Sequence, residues 1–217
     1  RGQTMTNATV TGTAVVGGAN TDAGATTISQ GTLALGPVGS IANSSIITVS
    51  SGATLDATGP GGLTLNPSVA QSLRGAGSVL GTVTVPSGTT VQPGVSIGNL
   101  SVGGLGLSGG TLFMEVSNGS QDNINTTGNL DMTSGVILVI VTGGPLTNGT
   151  YPLINYSTKS GAVANLILAG FVQPGQVAAL NDTGTQITMV VSTGTTPLLT
   201  WKGDGVSNVW DVNGANN

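Results

Sequence analysis

The sequence predicts an all-β fold, wound as a parallel solenoid, with a β-sandwich as the alternative architecture. Three observations point there. Apolar residues recur two apart, as in Val83 and Val85, Leu100 and Val102, Leu105 and Leu107, and Leu112 and Met114, which is the period of a strand turning one face to a core. The runs are cut by Pro86-Ser87-Gly88, Pro93-Gly94, Gly98-Asn99, Gly103-Gly104 and Gly109-Gly110, residues that supply a fixed or a positive φ for turns. Short units also recur without a strict period: Gly31-Thr32-Leu33, Gly52-Ala53-Thr54-Leu55 and Gly110-Thr111-Leu112. Such recurrence suits stacked coils of unequal length. The sandwich draws its support from Asn118-Gly119 and Asn148-Gly149, the tight-hairpin dipeptides of antiparallel strands.

Along the chain, residues 1–23 open with Ala8, Val10, Gly12, Ala14 and Val16 alternating with Thr9, Thr11, Thr13 and Val15, one amphipathic strand. From Gly24 the runs shorten, with Ile28, Leu33, Leu35, Ile47, Val49 and Leu55 separated by Gly31, Gly36-Pro37 and Gly52, and Leu63 and Leu65 form the next strand. Pro67 to Arg74 is the one helix-like octet, too short to hold alone and read as one helical turn or a loop. After the stretch Gly75 to Val116 come strand candidates at 123–125, 129–132, 136–141, 151–156, 163–168, 177–180 and 186–191, each beside Gly, Asn, Asp or Pro. The expected organisation is an N-terminal strand at 1–23, a β-solenoid at 24–192, and a C-terminal extension or start of a further repeat at 193–217.

Composition sets the chemistry of the surface and the core. Of 217 residues, 38% are hydrophobic but only 3% aromatic, so the core is built from Val, Leu, Ile and Ala. Charged residues are 6% against roughly 25% in ordinary soluble domains, which leaves Thr, Ser, Asn and Gly to face water. Disorder pairs low hydrophobicity with high net charge, whereas here the net charge is −4 and the mean hydropathy +0.30. The basic residues Arg1, Arg74, Lys159 and Lys202 are too few for the phosphate contacts that carry nucleic-acid affinity. With no cysteine there is neither a disulfide framework nor a thiolate metal site. The longest apolar run, Gly135 to Val141, falls far short of the roughly twenty residues that cross a bilayer, so no membrane span is expected. The chain opens at Arg1 rather than Met, which is expected of a processed product or an excised segment.

Several stretches carry a family resemblance. Thr26-Thr27-Ile28-Ser29-Gln30-Gly31-Thr32-Leu33 resembles the T-T-I-x-x-G-T-L signature of the autotransporter-associated β-strand repeat family, found in large secreted and surface proteins of Gram-negative and related bacteria. Gln92 to Leu100 is similar to its P-G-x-S-x-G-x-L turn, with Ile97 where proline is usual and Asn99 where threonine is usual. Asp122-Asn123-Ile124 and Gly149 to Ile154 continue the resemblance in order, and Thr200 to Gly203 with Asn208 to Asp211 resembles the opening of a further unit. The resemblance implies a right-handed parallel β-helix in a secreted or cell-surface passenger or fibre. It implies no reaction.

Histidine is absent, which removes the commonest general base. Glycoside hydrolysis needs two carboxylates about 5 to 10 Å apart; of the eight acids, Glu115 and Asp122 flank the Asn118-Gly119 turn and are read as solvated residues at a strand end. No catalytic residue is assigned and no cofactor is expected. Calcium is the ion that the turn residues Asp204, Asn208 and Asp122 would suit, against an Asx-turn or cap at each. Gly75, Gly77 and Gly81 fit no phosphate loop and are read as corners. Eight sequons, at Asn7, Asn43, Asn99, Asn118, Asn125, Asn148, Asn155 and Asn181, are glycosylation candidates.

The function expected is an extracellular structural or adhesive scaffold, a repeating subunit of a bacterial surface fibre. The alternatives are a glycan-binding module and a passenger segment of a giant autotransporter-like adhesin. Sugar sites use exposed aromatic platforms, and Trp201 and Trp210 are the aromatic contact candidates, with Tyr151, Tyr156, Phe113 and Phe171 the other rings. The partner expected is a second copy of the chain, head to tail, through the strand carrying Ala8, Val10, Ala14 and Val16, because neither end of the sequence reads as a polar cap.

Overall fold

A computed structural model describes residues 12–194. Asn7, Ala8, Val10, Trp201, Asp204, Asn208 and Trp210 lie outside the described residues, as do residues 195–217 of the C-terminal extension. The fold is all-β, and the sheet is predominantly parallel and curled. In chain order the strands are β1 (Thr13–Val16), β2 (Thr26–Ile28), β3 (Thr32–Leu35), β4 (Ile46–Val49), β5 (Thr54–Asp56), β6 (Leu63–Thr64), β7 (Ser72–Gly75) and β8 (Ser78–Pro86). They continue as β9 (Thr90–Pro93), β10 (Asn99–Ser117), β11 (Ser120–Gln121), β12 (Asn123–Val141), β13 (Gly149–Gly161), β14 (Leu166–Ala169), β15 (Gln176–Asp182) and β16 (Gln186–Thr193). Helix among the described residues is limited to two single 3-10 turns, Pro67–Val69 and Val163–Asn165.

The parallel pairings form three ladders, and from β5 to β14 the chain visits all three in turn on each pass, while the pass from β3 to β4 omits the second. In the first, Leu33, Leu55, Val79, Val102, Thr126 and Tyr156 lie side by side, and the steps between them are 22, 24, 23, 24 and 30 residues. The second stacks Leu63, Val83, Leu105, Leu130 and Lys159. The third stacks Thr26, Ile47, Leu73, Val91, Leu112, Ile137 and Leu168. Unequal steps explain why the repeats in the sequence show no strict period. The alternation seen in the sequence becomes the wall of the core: Leu55, Leu73, Leu105, Leu112 and Leu130 are among the fully buried side chains, and their chain neighbours face out.

Corners belong to glycine where backbones meet. Gly75 has φ +115°, and a Cβ there would lie 2.1 Å from the Val49 carbonyl oxygen; at Gly77 it would lie 2.4 Å from the Ser50 oxygen. No other residue fits such approaches. The octet Pro67 to Arg74 resolves into a 3-10 turn capped by the Asn66 side chain and then strand β7, whose Leu73 takes its place in the third ladder. Helical spacing there is overridden by burial.

The expected solenoid over 24–192 departs from parallel pairing at its far side. Strand β16 lies antiparallel on β13, and β15 lies antiparallel on β16. The first ladder therefore ends in a hairpin that covers the edge of β13, so this side carries a cap drawn from β15 and β16, which end at Thr193. At the near side β1 pairs parallel with β3, which makes Thr13–Val16 the first rung of the sheet rather than a separate arm; Ala14 and Val16 pack against the core. The Asn118-Gly119 signal is met by a local hairpin of β10 and β11, Ser117 opposite Ser120, while Asn148-Gly149 makes none and Gly149 opens β13.

Candidate functional site

Asp122 is the most unusual polar group of the described residues. It lies at the corner between the third and first ladders, just ahead of β12, and is 0% exposed. Its Oδ1 accepts from the Gly98 N–H and its Oδ2 from the Glu115 N–H, both at 2.8 Å. Gly98 belongs to the preceding pass, so the carboxylate ties two passes at one corner. Burial pushes its pKa up to about 6, against the pull of the two N–H donors, and the Glu115 carboxylate adds to the rise. Oδ1 and Oδ2 each face a donor, the geometry of a cap. The expectation of a solvated residue at a strand end is corrected here: Asp122 is enclosed because the corner needs an acceptor for two N–H groups that the ladders leave unpaired. Glu115 is half-buried, and its Oε2 is buried without a protein partner.

Around the Asn118-Gly119 turn, Asn118 Oδ1 accepts from the Thr147 N–H at 2.7 Å while its Nδ2 donates to the Pro145 oxygen at 2.7 Å. The buried Tyr151 hydroxyl donates to the Thr147 oxygen at 2.8 Å. Further along the first ladder, amides stack: Gln186 Nε2 donates to Asn155 Oδ1, and Asn155 Nδ2 donates to both Asn123 Oδ1 and Asn125 Oδ1, at 2.8, 2.8 and 2.6 Å. This amide row links β12, β13 and the capping strand β16.

The hairpin is fastened at its tip by Asp182, whose Oδ1 accepts from the Tyr156 hydroxyl, whose Oδ2 pairs with Lys159, and which also accepts from the Gly184 N–H. Desolvation opposes ionisation of Asp182, but the hydrogen bonds from Lys159, Tyr156 and Gly184 outweigh it and hold the carboxyl below its usual range. The hydrogen bond to Asp182 raises Lys159, while burial and then Asp182 raise Tyr156. Each shift locks the groups in the form they already hold, which suits a clasp and not proton transfer.

A shallow groove of about 560 Å³ lies between the segments 141–145 and 172–176, lined by Val141, Pro145, Val172, Gln173, Pro174 and Gln176. It holds no aromatic ring. Tyr151 and Tyr156 are each 6% exposed, and Phe113 and Phe171 are half-buried, so none of the described rings is fully exposed. No cluster of three metal-ligating side chains occurs among the described residues.

The sequons separate by what their amides do. Asn43 donates to the Asn20 oxygen, Asn118 to Pro145, Asn148 to Thr193 and Asn155 to Asn123 and Asn125, while Asn125 serves as an acceptor. Asn99 and Asn181 are exposed, and their side chains take no part in the hydrogen bonds that hold the ladders. Sequence reasoning missed Gln71, which is fully buried at a corner of the third ladder. Its Nε2 donates to the Ile41 and Ser44 oxygens at 3.0 and 2.6 Å, and its Oε1 accepts from the Asn66 N–H at 3.1 Å. The only signal for it was a polar residue two before the apolar Leu73, which is also the pattern of a surface position.

These features define a class: an all-β protein whose buried polar groups serve the joining of one pass of the chain to the next. The chain matches no known family model and no curated protein.

Proposed function

We propose that the chain is an extracellular structural or adhesive scaffold, a unit of a bacterial surface fibre, folded as a right-handed parallel β-helix of the autotransporter-associated repeat type. The observation that carries this reading is the set of three parallel ladders, visited in turn by successive passes from β5 to β14, with corners made by glycine and by capped polar groups. Right-handed crossing is the hand that parallel strand connections take in nearly all proteins. A rigid stack of this kind puts length and a polar, weakly charged wall into solution, which is what a scaffold supplies. The sequence signatures at Thr26 to Leu33 and Gln92 to Leu100 fall on β2 to β3 and on β9 to β10, the corners where the chain leaves the third ladder for the first. No reaction and no cofactor are proposed. No described helix is long and apolar enough to cross a membrane.

Electron microscopy of the native material tests the reading: elongated fibres or rods on or shed from cells are expected, and compact particles with no elongated form would overturn it. A glycan array provides the second arm. Tight binding to one polysaccharide, lost on replacing Trp201 and Trp210, would favour the glycan-binding module instead.

A further inference from the structure

The two outermost strands of the first ladder are β1 and β15, and they run in the same direction. Strands β1, β3, β5, β8, β10, β12 and β13 are mutually parallel; β16 reverses against β13, and β15 reverses again. Two reversals restore the direction. Among the described residues β15 pairs only with β16, and β1 only with β3. Each therefore presents one row of backbone N–H and C=O groups, which is a template for another strand. We propose that β15 of one copy receives β1 of a second copy as a further parallel rung, an inference that rests on the fibre reading above and names its contact surfaces.

The side chains on the two edges fit. Ala14 and Val16 of β1, and Ala178 and Leu180 of β15, point inward and are only partly buried, as expected of rows that lack a neighbour on one side. Pairing Ala14 with Ala178 and Val16 with Leu180 sets the two inward rows side by side and brings outward Val15, 65% exposed, opposite Ala179. Neither edge carries the usual guards: β1 has no charge or proline, and the one charge on β15, Asp182, is already held by Lys159. The chain outside the structure supports this occupant. The eleven residues ahead of Gly12 lead directly into β1, and in sequence Ala8 and Val10 alternate with threonine in step with Ala14 and Val16. Because the donor strand and the acceptor edge are different surfaces, the contact is heterologous and extends into a filament unless it closes into a ring.

The absence of cysteine gives a clean test. Full-length Val15→Cys and Ala179→Cys proteins, both altered at outward positions, are mixed, oxidised and resolved on non-reducing gels with mass spectrometry of the linked peptides. The Val15–Ala179 heterodimer is expected to exceed either homodimer by about tenfold or more, the advantage of held proximity over chance collision. If the chain polymerises by sedimentation but the heterodimer is no more abundant than the homodimers, β15 does not receive β1 and the fibre forms through another contact. If the unaltered chain sediments only as a monomer across the same concentrations, the fibre reading itself falls and takes this contact with it.

Discussion

Asp122 and Glu115 are joined by two backbone-anchored hydrogen bonds of opposite sense: the Asp122 N–H donates to the Glu115 carbonyl at 2.7 Å, and the Glu115 N–H donates to Asp122 Oδ2 at 2.8 Å. The short excursion through β11 thus closes on itself, and the carboxylate still has Oδ1 free to hold Gly98 of the pass before. One buried side chain fixes both a local loop and the stacking of two passes.

The burial of Asp122, acting against those N–H donors, makes stability depend on pH in an unusual direction for a carboxylate. The folded pKa of Asp122 is raised from 3.8 to about 6, so the folded state binds the extra proton and its contribution is full below pH 4, then lost as pH rises through 6. The loss amounts to about 2 to 3 kcal/mol. Asp56 and Asp182, whose pKa values are lowered, act in the opposite sense, with stability lost as pH falls through the acid range. Urea unfolding of the native chain and of Asp122→Asn at pH 4, 5, 6 and 7 separates them: the native chain should lose stability relative to the variant between pH 4 and 6, and a constant difference across that range would refute the assignment.

Gln71 satisfies three backbone groups from two passes at once. Gln71→Leu keeps the volume but strands the Ser44 oxygen and the Asn66 N–H and leaves the Ile41 oxygen with only the Ser44 N–H, and a cost of about 3 kcal/mol is expected. The measure is the midpoint shift in chemical denaturation, with Gln92→Leu, on a half-buried outward position of β9, as the comparison that should change little.

Thr126 stands in the inward row of the first ladder between Val102 and Tyr156, and its buried Oγ1 has no partner. Thr126→Val replaces that hydroxyl by a methyl of nearly the same size and should stabilise the fold by about 1 kcal/mol. A thermal melt that moves downward would show that the hydroxyl is satisfied after all.

When the chain passes through a eukaryotic secretory pathway, sugar on the folded, soluble product should concentrate at Asn99 and Asn181, whose amides are exposed. Asn43, Asn118 and Asn155 already commit their Nδ2 atoms to the fold, and a glycan there would displace a native hydrogen bond. Site occupancy by peptide mass spectrometry decides it; equal occupancy at Asn118 and Asn99 would contradict the sorting.

The architecture was legible because strand alternation and turn chemistry are local. Val83 with Val85 and Leu105 with Leu107 face inward wherever those strands are placed, and Gly75 and Gly77 mark corners whatever they pack against. The same locality carried only half of Pro67 to Arg74: the single helical turn is there at Pro67–Val69, but spacing over eight residues could not announce that Leu73 would be claimed by Ile47 and Val91, residues 26 and 18 positions away. It misled at Asn118-Gly119, which makes its hairpin without making the fold antiparallel.

By itself the sequence determined that the chain is all-β, that its core is aliphatic, and which side chains line it, since these follow from period and composition. Only the tertiary structure decided which strands neighbour one another, that the last two turn back as an antiparallel cap, and that Asp122 and Gln71 are buried. The physical reason is that pairing and burial are set by groups 18 to 31 residues distant in the parallel ladders. A polar side chain is enclosed only where N–H and C=O groups of another pass have been left for it to satisfy, and nothing in its immediate neighbours records that they have.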